Sequence, residues 1–365
     1  MAGADDLRYI ALALSLGRRG MGNTWPNPAV GCVIEKGGRI VGRGWTQPGG
    51  RPHAEVVALT QAGDAARGAT AYVSLEPCAH HGRTPPCAEA LIAAGVARVV
   101  APLSDSDPRV SGQGFAMLRA AGIEVTTGIM ADEAARDHAG FFLKVGDGRP
   151  FVTMKLASSF DGRIATATGE SQWITGPEAR RMVHAMRMRH DAVMVGAGTA
   201  RADDPSLTVR DMGAPHQPVR VIVSRHLDLP EDGVLARTAG EVPVWLCHGD
   251  DAPADRLAAW EARGARLLPC RVTGRSLDPE SVLAALGGAG LTRVFCEGGG
   301  ALAAALLQAG LVDELVGMSA GLVIGAEGWP AIGALGLDHL AEAPRFRLRE
   351  LRPVGGDVLA VWARA

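Results

Sequence analysis

Short apolar runs separated by glycine, proline and polar clusters set the pattern of this chain, and they predict strands alternating with helices. Leu7, Ile10 and Leu14 share one face of a first helix, with Asp5 and Asp6 placed to cap it and Gly17 to Gly20 to end it. Cys32-Val33-Ile34 and Ile40-Val41 flank Lys36-Gly37-Gly38, a hairpin signal. Ala54 to Ala66 reads as a helix, Ala71 to Leu75 as a strand, Ala88 to Ala94 as a helix and Arg98 to Ala101 as a strand. Phe115 to Ala121 and Ile123 to Val125 supply one more helix and one more strand. The run Gly146-Asp147-Gly148-Arg149-Pro150 is turn-rich and predicts a boundary, with a first domain of residues 1–147 and a second of residues 148–365.

The pattern restarts with the strand Phe151 to Ala157, after which Ser158 to Trp173 is mostly polar and irregular. Pro177 to Arg189 reads as a helix with proline in its first turn, and Ala192 to Val195 as a buried strand. Further strands are expected at Val219 to Val223, Val242 to Leu246, Arg293 to Cys296, Glu314 to Gly317 and Val358 to Trp362, with an apolar helix from Gly300 to Ala309. Strands alternating with helices in both halves imply an α/β layer structure.

The chain has 365 residues, enough for two domains with a core each. A net charge of −2 and an aromatic content of 4% give neither the basic footprint nor the stacking platforms of a nucleic-acid binder. No apolar run approaches the ~18 residues of a membrane span. The acidic start, Asp5 and Asp6, does not read as a signal peptide. Six cysteines in so long a chain are not a disulfide framework, so a reducing cytoplasm is the expected setting.

The strongest chemistry lies in His53-Ala54-Glu55 and in Glu76-Pro77-Cys78 through Cys87. His53, Cys78 and Cys87 offer one nitrogen and two sulfurs, a set that Zn²⁺ takes tetrahedrally with water in the fourth place of a catalytic site. Glu55 is placed to move a proton beside the metal without ligating it. The pattern is H-x-E with a later Pro-Cys, as in zinc deaminases, but eight residues separate the two cysteines instead of two. A structural zinc with His80 or His81 as fourth ligand is the competing reading, and Glu55 weighs against it.

In the second half, Val195 to Thr199 and Cys296 to Gly300 are strand-to-glycine turns of a kind that accepts phosphate, although each alone reads as a tight turn. Arg187 and Arg210 are free, on the sequence, to grip a phosphate bidentately, with a charged helical face the equally weighted reading of Arg187. Lys155 stands inside an apolar strand and is expected to reach a cleft, with Asp161 or Glu297 as its partner.

The first half resembles the pyrimidine deaminase of riboflavin biosynthesis in Asn27 to Gly31, His53-Ala54-Glu55 and Glu76 through Cys87, whose eight-residue gap is that family's spacing. The second half resembles the reductase that follows it, in Lys155 to Ala157, Ser159 to Arg163, Gly169 to Thr175, Ala202 to Thr208 and Glu297 to Gly299. The order is that of the bifunctional deaminase/reductase. The resemblance implies a cytidine-deaminase-like domain followed by a dihydrofolate-reductase-like domain. It implies hydrolysis of the 2-amino group of 2,5-diamino-6-(5-phosphoribosylamino)pyrimidin-4-one with Glu55 moving the proton and Asn27 on the ring. NADPH would then reduce the ribosyl group to ribityl. By the same resemblance Ala157, Trp173, Thr199, Asp203, Ser224 and Gly299 contact NADPH. Ser171, Arg187, Leu207, Arg210 and Glu297 contact substrate, with Lys155 at the reacting sugar. Small-molecule substrates are the expected partners, with no nucleic acid and no membrane, and with a homo-oligomer left open. The alternatives are a nucleic-acid deaminase, which the charge balance disfavours, and a non-catalytic zinc module, which would release no ammonia.

Overall fold

In a computed structural model, which describes residues 3–82, 85–107, 111–214 and 216–365, the chain divides into two compact units, Met1–Gly148 and Arg149–Ala365. In the first, α1 (Ala4–Gly17) precedes the hairpin β1 (Gly31–Lys36) and β2 (Arg39–Trp45). Then come α2 (Ala54–Ala62), β3 (Thr70–Val73), α3 (Cys87–Ala94), β4 (Arg98–Ala101), α4 (Gln113–Ala120), β5 (Glu124–Thr127) and α5 (Ala131–Gly146). The sheet order is β2-β1-β3-β4-β5, antiparallel around β1 and parallel from β3 to β5.

Alternation along these strands builds two cores. Cys32, Ile34, Ala71, Val73, Val99 and Ala101 pack against α2, α3 and α4. Val33, Tyr72 and Val100 point the other way, against Tyr9, Ile10, Ala13 and Leu14 of α1. A fully buried leucine such as Leu91 or Leu118 contributes about 1.5–3 kcal/mol by leaving water. β2 lies so close to α2 that a Cβ on Gly44 would sit 2.6 Å from the Ala54 carbonyl oxygen. That approach seats the first turn of α2, which carries Glu55, against the sheet.

Several expectations are corrected in this unit. Asp5 and Asp6 do not cap α1, whose N-cap is Gly3 with no side-chain cap. Asp6 instead accepts from Arg98 at 2.8 and 2.9 Å and from the Tyr72 hydroxyl at 3.0 Å, and the arginine holds its carboxyl below the usual range. The helix expected to Ala66 ends at Ala62, because Gly63 takes φ 51° and the chain continues as a 3-10 turn. Helix α5 was not expected; it runs to Gly146, so the turn-rich segment is in part helical. Arg83 and Thr84, part of the cysteine loop in the sequence reading, lie outside the described residues.

The second unit runs β6 (Phe151–Ser159), β7 (Arg163–Ala165), α6 (Pro177–Arg187), β8 (Ala192–Gly196), α7 (Ala197–Asp203), β9 (Val219–Val223) and α8 (Val234–Arg237). It continues β10 (Val244–His248), α9 (Ala254–Ala262), β11 (Arg266–Pro269), β12 (Val272–Thr273), β13 (Ser276–Leu277), α10 (Pro279–Gly288) and β14 (Arg293–Gly298). The last elements are α11 (Gly300–Gln308), β15 (Glu314–Ala320), β16 (Trp329–Pro330), β17 (Phe346–Val354) and β18 (Asp357–Arg364). The main sheet has the order β11-β10-β9-β8-β14-β6-β15-β18-β17, parallel from β11 to β15 and antiparallel beyond.

The strand expected at Val242 begins at Val244, since Pro243 has no N–H and the Val242 N–H closes a turn onto Thr238. Strand β17 was not expected. It is an edge strand exposed along nearly its whole length, so it carries little of the burial pattern that marks a strand in sequence. The strand ends are tied by buried carboxylates. One oxygen of Asp191 accepts from the Thr292 N–H, the Thr292 hydroxyl and the Arg293 N–H at 2.6, 2.7 and 2.9 Å, which fixes β8 to β14.

His190 is buried between Met186 O at 2.8 Å and Thr153 Oγ1 at 3.0 Å, and burial pushes its imidazole down from 6.5 to about 3. The fold therefore holds it neutral, while the unfolded chain takes up a proton below about pH 6.5. Stability from this residue is complete above that pH and is lost progressively as pH falls towards the folded value, by a few kcal/mol in all. Melting curves between about pH 7 and 5 are expected to fall less steeply for His190→Gln than for the parent. Equal slopes would remove His190 as the cause.

Candidate functional site

The first site is built at the ends of α2 and α3. His53 is the N-cap of α2, with extended backbone (φ −70°, ψ 160°), and Cys87 is the first residue of α3. Cys78 lies on the loop after β3. His53 Nδ1 stands 3.3 Å from Cys87 Sγ and 3.7 Å from Cys78 Sγ, and the Cys87 N–H donates to Cys78 Sγ at 3.3 Å. The three ligand atoms lie within 4.8 Å of one another, the spread a tetrahedral metal needs. His80 and His81 are outside this group; His81 Nε2 pairs with Glu89 at 3.0 Å on the surface.

Electrostatics favour a bound cation. The Cys78 thiol falls to about 4, chiefly through its hydrogen bond with Cys87, with His53 adding and burial opposing. The Cys87 thiol is pushed up by the same bond and by burial. A metal here would replace the shared proton and take both sulfurs as thiolates. Glu55 is 3% exposed, and burial raises its carboxyl while His53 opposes the shift. A carboxyl raised in this way exchanges protons closer to neutrality. Glu55, His53, Cys78, Asn27 and Asp105 line one cavity of about 220 Å³. Asn27 is fixed by donating from Nδ2 to Gly50 O at 3.0 Å.

The second site lies at the carboxyl ends of parallel strands, where open α/β sheets bind ligands. Glu297, near the end of β14, takes Arg187 of α6 in a two-point pair, with Nη2 to Oε2 at 3.0 Å. Arg187 Nη1 also donates to Thr208 O at 2.8 Å. Arg187 is thus not free to fork a phosphate, contrary to the sequence reading, because a buried carboxylate already occupies its fork. Arg187 holds the Glu297 carboxyl below its ordinary value against burial, with Lys155 adding. Lys155 is lowered by burial and opposed mainly by Glu297. Glu297 is therefore the lysine's acidic neighbour. Asp161 is engaged elsewhere, with Ser159 Oγ at 2.6 Å and the Ile324 and Gly325 N–H groups.

Thr199, on α7, donates to Gly298 O at 3.4 Å. Gly299 has φ 78°, and a Cβ there would lie 2.8 Å from Thr199 Oγ1, so this turn tolerates only glycine. Ala157 is on β6 and Ser224 follows β9, its hydroxyl donating to Asp228 at 3.2 Å. Leu207 is buried with φ 52°, and burial raises the Asp203 carboxyl. Ser171 and Trp173 lie on the loop before α6, Trp173 65% exposed with the Arg180 guanidinium 4.5 Å above its ring. The Arg210 N–H donates to His184 Nδ1 at 3.2 Å. The sequence reading missed Glu76 and Asp105; both are buried carboxyls beside the cysteine site, and only Glu76 stood in a motif.

Residues 4–103 match the cytidine and deoxycytidylate deaminase zinc-binding region, and residues 150–360 match the RibD C-terminal domain. The riboflavin biosynthesis protein RibD of Escherichia coli K12 is 43% identical, over 97% of this chain and 98% of its own. The chain belongs to the RibD family. RibD of Aquifex aeolicus is 38% identical over 98% of both chains. A solved RibD from Acinetobacter baumannii superposes with TM-score 0.87 at 39% identity over 99% of each chain. A Thermotoga maritima diaminohydroxyphosphoribosylaminopyrimidine deaminase/5-amino-6-(5-phosphoribosylamino)uracil reductase does so at 0.85 and 32%, again over 99% of each. Like other RibD proteins, this chain is a bifunctional deaminase and reductase of riboflavin biosynthesis, with a zinc-binding deaminase domain followed by a dihydrofolate-reductase-like domain. No described helix is long and apolar enough to cross a membrane.

Replacing Cys87 with serine removes a soft thiolate and is expected to strip the metal. Metal analysis of the purified protein should find about one zinc per parent chain and little in Cys87→Ser. Full zinc in the variant would remove Cys87 from the ligand set.

Proposed function

We propose that residues 1–147 deaminate 2,5-diamino-6-(5-phosphoribosylamino)pyrimidin-4-one and that residues 148–365 reduce the resulting 5-amino-6-(5-phosphoribosylamino)uracil. The observation that carries the first half is a buried acid, Glu55, lining one cavity with a nitrogen-and-two-sulfur cluster. His53, Cys78 and Cys87 hold Zn²⁺, which when bound supplies an activated water. Glu55 takes a proton on the water side of the pocket and delivers it to the departing amine, a task that suits its raised carboxyl. Asn27, fixed by Gly50 O, orients the ring.

In the second half Ala157, Trp173, Thr199, Asp203, Ser224 and Gly299 hold NADPH, which when bound supplies the hydride. The glycine turn after β14 lets backbone N–H groups approach a phosphate, which supports that reading. Ser171, Arg187, Leu207, Arg210 and Glu297 contact the substrate. Arg187 and Glu297 act as one fixed pair, so their role is to shape the pocket and present polar atoms in set directions. Lys155 faces the reacting sugar; its lowered ammonium eases proton exchange with an oxygen that gains charge as the ring opens. Two small-molecule substrates and a cytoplasmic setting complete the proposal. The balanced charge gives no support for a nucleic-acid partner, nor do the described helices for a membrane one.

Glu55→Gln keeps shape and hydrogen bonding but cannot carry the proton. Zinc should stay bound and reduction should be unchanged, while ammonia release drops by ~10²–10⁴-fold. Ammonia release at the parent rate would refute the proton-transfer role.

Lys155→Ala tests the other half. Given the deaminated intermediate directly, NADPH oxidation followed by absorbance should nearly cease, with ammonia release from the diaminopyrimidine near that of the parent. Parent-like NADPH oxidation would make Lys155 a structural residue. Loss of both activities would contradict the independence of the two chemistries.

A further inference from the structure

Glu76 sits two residues before the ligand Cys78 and is 3% exposed. A carboxylate so far from water needs donors, and among the described residues Glu76 has three, all from backbone. Its Oε2 accepts from the Asp105 N–H at 3.0 Å and from the Gly112 N–H at 2.9 Å. Its Oε1 accepts from the Phe115 N–H at 3.2 Å. Gly112 is the N-cap of α4 and offers no side chain to its helix, so a carboxylate 36 residues earlier serves the orphan N–H groups of that end. The helix comes close enough that a Cβ on Gly114 would lie 2.0 Å from Pro77 O. One carboxylate thus ties the loop bearing Cys78, the segment after β4 and the start of α4.

Asp105, like Glu76 itself, reaches the pocket. It is 7% exposed and lines the same cavity as Glu55 and Asn27. Its own Oδ1 accepts from the Asp107 N–H at 2.8 Å, which turns the segment back on itself. Its backbone N–H, however, is held by Glu76 alone among the described contacts. Where the Asp105 side chain enters the cavity therefore depends on Glu76.

We propose that Glu76 is a positioning residue of the deaminase: it sets the pocket wall at Asp105 relative to the metal-binding cysteine loop and so governs substrate binding. It makes no contact with the reacting atoms in this scheme. The inference rests on the deaminase reading of the first unit, and ammonia release by the parent protein tests that reading separately.

The experiment is a double-mutant cycle in the full-length zinc-loaded protein. An amide has one oxygen and cannot serve all three N–H groups, so Glu76→Gln should raise the deaminase KM about tenfold while kcat changes less. Zinc stoichiometry and NADPH-dependent reduction should match the parent. In an Asp105→Ala background the same substitution should alter KM by less than about twofold, because its route of action is already gone. Equal effects in both backgrounds, or a lowered melting temperature with KM and kcat unchanged, would make Glu76 a helix cap and nothing more. Loss of zinc from Glu76→Gln would also overturn the proposal, since it would then act through Cys78. Should the glutamine variant fail to fold, Glu76→Asp, which keeps the charge but shortens the reach, enters the same cycle with the same criteria.

Discussion

A carboxylate withdrawn from water must be surrounded by donors, and both units are organised around meeting that demand. Asp191 takes three donors at the junction of β8 and β14. Asp313 receives two nitrogens of Arg149 and the Val152 N–H at the start of β6. Glu297 takes the fork of Arg187, and Glu76 takes three backbone N–H groups. Each draws its donors from segments far apart in the chain. The same bonds that satisfy these acids therefore fix the strand ends, beside which the candidate site residues lie.

The two sites use buried ionisable groups in opposite ways. Around the cysteines, the contact between them lowers the Cys78 thiol and, with burial, raises the Cys87 thiol, while burial raises Glu55. That is a site ready to exchange a proton for a metal. In the second unit the charges are paired: Arg187 lowers Glu297, and Glu297 limits the loss of charge on Lys155. A fixed ion pair beside a lysine gives a cluster of polar groups whose directions are already set.

Close backbone approach is the second constraint. Gly44 brings β2 against α2 and so places the turn carrying His53 and Glu55; Gly299 clears space beside Thr199 where a chain with a side chain would clash. Both glycines act through what they leave out; Gly299 is marked in sequence by its strand-to-glycine turn, whereas Gly44 is not distinguished from the many other glycines of the chain.

The candidate ligand set of the first site was legible because its residue types have few other uses at that spacing: an H-x-E before a strand, a Pro-Cys after it and a cysteine opening a helix. Most strands and helices with a clear apolar period were legible for the same local reason. Helix α5 was not, since its buried positions are few and include Gly140 and His138, nor was the exposed edge strand β17. The sequence offered Arg187 as a free cation and left Lys155 two acidic partners. Only the folded chain decided that Glu297, 110 residues from Arg187, takes the guanidinium and neighbours the lysine, while Asp161 accepts from the Ser159 hydroxyl and from the distant Ile324 and Gly325 N–H groups. Glu76 could be seen in its motif, but its three donors come from 29, 36 and 39 residues away. Residue chemistry at short spacing is written in the sequence; the partner of a buried charge is chosen by whichever distant segments the sheet brings to it.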